Sequence, residues 1–263
     1  MVESGLSRPD LCTGVLQRAN GIVKLRNHIF VPDSRDGGLS NWIPGIPAWE
    51  GFSQSKQVDN GQLRNPSSPD ESSALQAYCQ CRGVHFKITR PNEHPKDLMA
   101  PDPDLLLSDK AKKTPAVGED KKWWLCANGT KYLAGICACR TCRLVSGFDI
   151  QTWAFVPLSN LLQTNGDFIK FDMDNLRQYD STDGVHRHFC GRCGATIFYR
   201  NEERPDLIDV SVGLLDSSQG ARAESWLEWR IDRISFQEEA QNEELISRLG
   251  AGLRVIPEIP PSN

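Results

Sequence analysis

Short runs of aromatic and β-branched residues, separated by turn residues, recur through the second half of the chain. In an earlier run, Val84, Phe86 and Ile88 alternate with polar residues, which is the two-residue period of a half-buried strand. The later runs cover residues 153–156, 168–171, 196–199, 207–215, 226–231 and 234–236. Runs of this composition between turns are typical of antiparallel sheets. The pattern therefore predicts a mainly β fold.

One segment has a helical pattern instead. Within residues 238–249, Leu245, Ile246 and Leu249 fall on one side, and Gly250 is a stop signal. We therefore expect one C-terminal helix.

Two polar segments divide the chain. Residues 52–73 are rich in Ser, Asn, Gln and Pro and predict a flexible linker. Residues 90–122 are rich in proline and charge and read as a long insertion. We expect a compact segment at 1–51, a main domain at 74–250 that contains the insertion, and a tail at 251–263.

Composition narrows the class of protein. The chain has 263 residues and a formal net charge of −4, which offers no electrostatic footprint for nucleic acid. No apolar run approaches the roughly 20 residues of a membrane span, and the N-terminus lacks the apolar stretch of a signal peptide. We expect a cytoplasmic protein, in a reducing compartment where clustered cysteines are more often metal ligands than disulfides.

Seven of the nine cysteines form three groups. They are Cys79 and Cys81, then Cys137, Cys139 and Cys142, then Cys190 and Cys193. Seven is an awkward number for disulfides but divides into a four-thiolate and a three-thiolate metal site. Residues two apart in a strand share a face, and a C-x-x-C-G turn allows the tight backbone of a metal knuckle. All-thiolate sites suit zinc or iron–sulfur clusters, and the spacing matches neither common ferredoxin pattern. We therefore expect two zinc ions.

The spacing does not decide how the sulfurs are shared. The central triplet most simply binds one ion and the two outer pairs another, but mixed pairings are sterically conceivable. Both sites could also be structural, with His186 or His188 joining the seventh cysteine, or Cys139 and Cys142 could form a redox pair. The remaining cysteines, Cys12 and Cys126, have no partner in the sequence and are expected to be buried free thiols.

A zinc ion with three thiolates and one open position favours sulfur chemistry. Three thiolates make the ion a weaker Lewis acid than imidazoles would, but the open position suits a soft ligand such as a thiolate. His186 is a candidate acid or base because histidine titrates near neutral pH, and His188 is expected on the strand surface. Arg140, or Arg143, is a candidate to hold a substrate carboxylate, with a salt bridge as the alternative role.

The cysteine segments also resemble a known family. Residues 79–84, 137–143 and 189–198 read CQCRGV, CACRTCR and FCGRCGATIF, and they resemble the glutathione-dependent formaldehyde-activating enzyme and centromere protein V family over roughly residues 78–236. The resemblance implies a β-tent fold of small antiparallel sheets around two zinc sites. It assigns the structural zinc to the four outer cysteines and the catalytic zinc to the triplet. Residues 1–51 resemble the end of a preceding copy of the same domain.

The hypothesis from these observations is a zinc-dependent carbon–sulfur lyase that acts on an adduct of glutathione or another small thiol. One alternative is a small-molecule tailoring lyase or dehydratase whose pocket the 90–122 insertion reshapes. The other is a non-catalytic zinc-binding module.

Overall fold

The regular structure is mainly β-strand. The computed structural model describes residues 12–59, 72–92, 98, 100 and 122–255. Within these ranges the strands are β1 (Ala74–Tyr78), β2 (His85–Thr89), β3 (Leu125–Cys126), β4 (Lys131–Cys137), β5 (Gln151–Pro157), β6 (Leu161–Gln163), β7 (Leu176–Thr182), β8 (Val185–Cys190), β9 (Thr196–Asn201), β10 (Leu207–Ser211), β11 (Leu215–Asp216) and β12 (Leu227–Trp229). The helices are α1 (Arg140–Ser146) and α2 (Glu243–Val255). The prediction of a mainly β fold with a C-terminal helix is confirmed.

The strands form two sheets. The smaller has the order β11-β1-β2-β6, and the larger has the order β12-β4-β5-β10-β9-β8-β7 with β3 added on β4. Neighbouring strands are antiparallel except β12 and β4, which are parallel. The main hydrophobic core lies between the sheets, where the rings of Phe86 in β2 and Phe198 in β9 are 4.9 Å apart.

The other face of the larger sheet positions the candidate site. Pairing brings Phe155, Asp209, Tyr199 and Arg187 into one row across β5, β10, β9 and β8. Phe198 and Val210, the next residues along β9 and β10, point into the main core. Because successive side chains in a strand point to opposite faces, the row faces away from that core. Trp153 in β5, two residues before Phe155, shares this outer face.

The N-terminal segment 12–59 contains short 3-10 turns that pack on the helices: Thr13–Val15 contacts α1, and Gly38–Trp42 contacts α2. The Asp36 carboxylate is fully buried and accepts the backbone N–H groups of Ala221 and Arg222 at 3.2 and 2.9 Å. Charged acceptors of this kind form strong hydrogen bonds. Of the predicted linker, residues 52–58 form turns hydrogen-bonded to the preceding strand-like segment, with Val58 N–H on the Ala48 carbonyl at 2.9 Å. Residues 60–71 lie outside the described residues.

Two expected strands are absent from the described residues, and one helix was not expected. The run 168–171 is not a strand but makes a single bridge between Phe168 and Leu162, and the run 234–236 likewise makes only a bridge from Ser235 to Cys137. Helix α1 has no counterpart in the sequence expectation, because its seven residues are too few to show a period.

The C-terminal helix starts later and ends later than the pattern indicates. It is capped by Asn242, whose side chain accepts the N–H of Leu245, and it continues through Gly250 to Val255. A second glycine, Gly252, lies inside the helix. A Cβ at this position would overlap the carbonyl oxygen of Trp42, so glycine allows the helix to pack closely against the N-terminal segment. Most of the 90–122 insertion, and residues 256–263 of the tail, lie outside the described residues. In the part of the chain that the structure describes, no helix has the length and apolar character to cross a bilayer.

Candidate metal centres

Two groups of cysteine sulfurs converge in space. Cys79, Cys81, Cys190 and Cys193 form the four-cysteine cluster, and Cys137, Cys139 and Cys142 form the three-cysteine cluster. In each, all Sγ atoms lie within 4.8 Å of one another. Every cysteine is free of a disulfide.

The four-cysteine cluster has the dimensions of a tetrahedral thiolate site. Cys81 Sγ lies 3.6 Å from the sulfurs of Cys79 and Cys190. A zinc–sulfur distance of about 2.3 Å requires sulfurs about 3.8 Å apart in a tetrahedron. The donor set and its spacing therefore fit a metal ion with four thiolate ligands.

Backbone N–H groups surround these sulfurs. After β1 the chain turns through Arg82, with φ of 53°, so that the N–H groups of Gly83 and Val84 both point at sulfurs at 3.4 Å. A Cβ at Gly83 would lie 3.2 Å from Cys81 Sγ, so this position requires glycine-like space. Hydrogen bonding from the Ala195 N–H lowers the pKa of Cys193 to about 6. Such bonds favour the thiolate form that a metal requires.

The three-cysteine cluster joins the end of a strand to the start of a helix. Cys137 is the last residue of β4, and Cys142 lies in the first turn of α1. Cys139 is the N-cap of that helix, and its Sγ accepts the N–H of Cys142 at 3.3 Å. No His, Asp or Glu among the described residues joins this group. The cluster therefore offers three protein ligands, and a four-coordinate metal bound there would have one open position.

The pKa values of Cys137 and Cys139 shift in opposite directions. Hydrogen bonding from Cys137 lowers the pKa of Cys139, and the same interaction raises the pKa of Cys137. Cys139 is therefore the first of the pair to become a thiolate.

An aromatic and cationic wall borders the cluster. Trp153, Tyr199 and Phe236 pack against the cysteines. Arg187 reaches the group from β8, with Nη1 at 3.8 Å from Cys142 Sγ. Burial raises the pKa of Tyr199, so its hydroxyl keeps its proton at neutral pH.

The two arginines predicted beside the cluster have different surroundings. Arg140 is exposed at the start of α1, where its backbone N–H bonds the Glu239 carboxylate at 2.8 Å. Arg143 is buried, and its guanidinium donates to the carbonyls of Gly14 and Leu16. Arg143 therefore binds the N-terminal segment to the helix that carries Cys142, in a structural role.

The structure does not bring either predicted histidine to the three-cysteine cluster. His186 binds Asp180 at 2.7 Å and Glu202 at 3.0 Å. His188 is buried against Phe171 in the core, not on the strand surface as expected. Both alternate with Arg187 along β8, so they lie on the opposite face from the cluster.

The two remaining cysteines are free, but the prediction that both are buried is wrong. Cys12 is exposed and Cys126 is half-buried. Burial raises the pKa of Cys126 to about 12, which leaves it an unreactive thiol. Cys12 lies in the N-terminal segment beside Gly147, where α1 ends.

Comparison with known proteins is consistent with this geometry. Residues 125–229 match the family model described as glutathione-dependent formaldehyde-activating enzyme. The similarity to this family covers 105 of the 263 residues. The matched segment includes the three-cysteine cluster together with Cys190 and Cys193, and the resemblance predicted from the cysteine segments is confirmed.

Part of the chain aligns with a solved structure. A crystal structure of a Rhodobacter sphaeroides protein aligns with 59% of this chain and 98% of its own chain, at 17% identity and a TM-score of 0.33. Among curated proteins, none matches the chain significantly.

Arg187 is the site residue that sequence reasoning missed. It lies between His186 and His188, the two histidines that the sequence offers as candidate site residues. Strand alternation places it on the other side from Cys190. Only the pairing of β8 with β9, and of β9 with β10, shows that this side meets the triplet.

Proposed function

We propose that this protein is a zinc-dependent enzyme that forms or breaks the carbon–sulfur bond of a small thiol adduct, with glutathione as the expected thiol. The observation that carries the proposal is the three-cysteine cluster, which has an open position and lies inside the matched family domain. The family description supplies the two reactants, glutathione and formaldehyde.

The two clusters suit different roles. Four sulfurs complete a tetrahedral site, so Cys79, Cys81, Cys190 and Cys193 would hold a structural zinc. Three sulfurs leave one position free, so Cys137, Cys139 and Cys142 would hold a catalytic zinc. When bound there, zinc supplies a Lewis acid with preference for a soft, anionic ligand.

The chemical step requires little from acid–base residues. In the forming direction, the thiol loses its proton and its sulfur attacks the carbonyl carbon of the aldehyde. The new carbon–sulfur bond uses a sulfur lone pair, and the carbonyl π electrons move to oxygen, which takes up a proton. The reverse sequence releases the aldehyde and the thiol. No redox partner is needed.

The side chains next to the three-cysteine cluster would control how much water reaches the reacting sulfur. Trp153, Tyr199 and Phe236 reduce water access on one side, which strengthens electrostatic interactions at the cluster. The exposed Arg140 and the half-buried Cys139 mark the side that solvent can reach. A glutathione carboxylate binding at Arg140 is consistent with that exposure.

Metal analysis combined with one substitution tests the proposal. We expect two zinc ions per chain in the purified protein and one in Cys139→Ser, with the fold retained. Cys139→Ser should also lose carbon–sulfur lyase activity, measured by NMR of S-hydroxymethylglutathione formation and breakdown. The matched control is Cys12→Ser, because Cys12 is exposed and outside both clusters.

Two outcomes would contradict the proposal. A single zinc in the wild-type protein would exclude the open site. Two zinc ions with no effect of the protein on adduct formation or breakdown would favour the non-catalytic zinc module.

A further inference from the structure

We propose that Arg187 is a positioning residue that makes the open position of the three-cysteine cluster accept an anionic sulfur ligand. Its fixed positive charge would offset the negative charge of the thiolates. This inference rests on the proposed function, because it assumes that a metal ion with an open position occupies the cluster.

The guanidinium of Arg187 is held in place from several sides. Its side chain is buried, with 7% of the residue exposed. Nε donates to the Ser181 hydroxyl at 3.2 Å, and the guanidinium carbon lies 4.9 Å from the centre of the Tyr199 ring. Nη1 lies 3.8 Å from Cys142 Sγ. These contacts hold a guanidinium, the delocalised cation of arginine, beside the cluster.

The buried carboxylate in the same row already has a partner. Asp209 is 2% exposed and binds Arg204 at 2.7 Å, in an ion pair whose two members are both buried. The described contacts of Arg187 are therefore a hydroxyl, an aromatic ring and a cysteine sulfur. Its positive charge acts on the sulfurs of Cys139 and Cys142, and also on the Asp209 carboxylate that is already paired with an arginine.

Charge counting shows why this matters for the fourth ligand. Three thiolates and a divalent cation leave one net negative charge, and a thiolate ligand adds a second. In a buried site that accumulation is costly, since like charges repel strongly at low dielectric. One guanidinium next to the sulfurs restores the single negative charge. Arg187 therefore lowers the cost of binding an anion at this position.

In the four-cysteine cluster, different groups offset the negative charge of the thiolates. There, backbone N–H groups of Gly83 and Val84 donate to the sulfurs, and all four ligands come from the chain. The three-cysteine cluster has the Cys142 N–H on Cys139 and the guanidinium on Cys142. Arg187 thus places a cation next to the cluster that must receive a ligand from outside.

Titration with a simple thiol tests the inference. The probe is 2-mercaptoethanol, added to the zinc-loaded full chain and followed by calorimetry. We expect Arg187→Gln to weaken its affinity about tenfold or more, with two zinc ions retained, and Arg187→Lys to recover most of the loss. The matched control is Arg200→Gln on β9, whose register neighbour is His186 and which lies on the opposite face of the sheet. It should bind within threefold of the wild type.

Each result has a distinct meaning. If the wild type and Arg187→Gln bind 2-mercaptoethanol with equal affinity, the inferred role of Arg187 is wrong, while the proposed function still stands. Equal loss in the Gln and Lys variants together with loss of a zinc ion would show a structural role instead. If the wild-type zinc protein binds no 2-mercaptoethanol, the proposed function fails, and the inference fails with it.

Discussion

The two cysteine clusters use the same ligand chemistry but are built on different supports. The four-cysteine cluster joins the turn after β1 to the turn between β8 and β9, and so connects the two sheets. The three-cysteine cluster lies within six residues, at the junction of β4 and α1. A metal in the four-cysteine cluster would link segments more than 100 residues apart, whereas a metal in the three-cysteine cluster would link residues that are already close in sequence. Because cross-links of distant segments stabilise a fold most, the first cluster should be the structural one.

The groups that surround the two clusters also suggest a structural role for the four-cysteine cluster and a ligand-binding role for the three-cysteine cluster. Backbone N–H groups and chain turns complete the four-cysteine cluster, so substitutions there disturb the fold itself. Aromatic rings and the Arg187 guanidinium border the three-cysteine cluster, so changes there should alter ligand binding first. The differences in donor count and supporting backbone are the basis for proposing that one site is structural and the other catalytic.

The largest effect is expected at the four-cysteine cluster. Cys190 is fully buried, and Cys190→Ser removes one of four ligands from the site that connects the sheets. The free energy of zinc binding is about 10–16 kcal/mol in zinc-finger peptides, comparable to the whole stability of a domain. We expect loss of the cooperative thermal transition, or a melting temperature lower by more than about 10 °C.

Circular dichroism and metal analysis measure this outcome, with Cys139→Ser as the reference. If Cys139→Ser destabilises the protein as much as Cys190→Ser, the proposed separation of the two clusters is wrong.

An intermediate effect is expected where the N-terminal segment meets α1. Arg143→Gln removes the guanidinium that binds the Gly14 and Leu16 carbonyls. Loss of charged hydrogen bonds in a buried site should cost about 2–3 kcal/mol of unfolding free energy. Because α1 carries Cys142, the zinc affinity of the three-cysteine cluster should fall, while the other cluster keeps its metal.

Denaturant unfolding and chelator competition measure the two effects, with the exposed Arg140→Gln as control. Equal zinc loss from both clusters would show that the N-terminal segment supports the whole domain and not α1 in particular.

The smallest effect is expected at His186 and depends on pH. Hydrogen bonding to Asp180, and then to Glu202, raises the pKa of His186 above its ordinary value of about 6.5. The stabilisation by the protonated ring is therefore complete below pH 6.5 and is lost as pH rises through the raised pKa. Since both carboxylates are exposed, His186→Ala should cost less than about 1 kcal/mol at pH 6 and nothing at pH 9.

Chemical unfolding at the two pH values measures this difference. Zinc content and thiol binding should not change in His186→Ala, because the side chain lies away from the three-cysteine cluster. A loss of thiol binding in this variant would instead support the acid–base role first considered for His186.

Local pattern predicted the strands better than the helices. Alternation of apolar residues located β2, and β-branched runs located β5, β9 and β10, because burial of one strand face leaves a two-residue signal. The run 168–171 has the same composition but finds only one bridge partner at the sheet edge. Helix α1 escaped prediction because it is short and is fixed by the N-cap sulfur of Cys139 and by the N-terminal segment. The origin of residues 1–51 in a preceding domain copy stays a prediction.

The sequence by itself determined the ligand chemistry: seven clustered cysteines in a chain of this kind indicate metal sites, and the spacing of the triplet indicates one group. The tertiary structure decided how the outer pairs meet and which side chains border each group. It placed Arg187, not His186 or His188, beside the triplet, although the three residues are adjacent in sequence. The physical reason is the pleat of β8. Successive side chains point to opposite faces, and only strand pairing decides which face meets the cysteines.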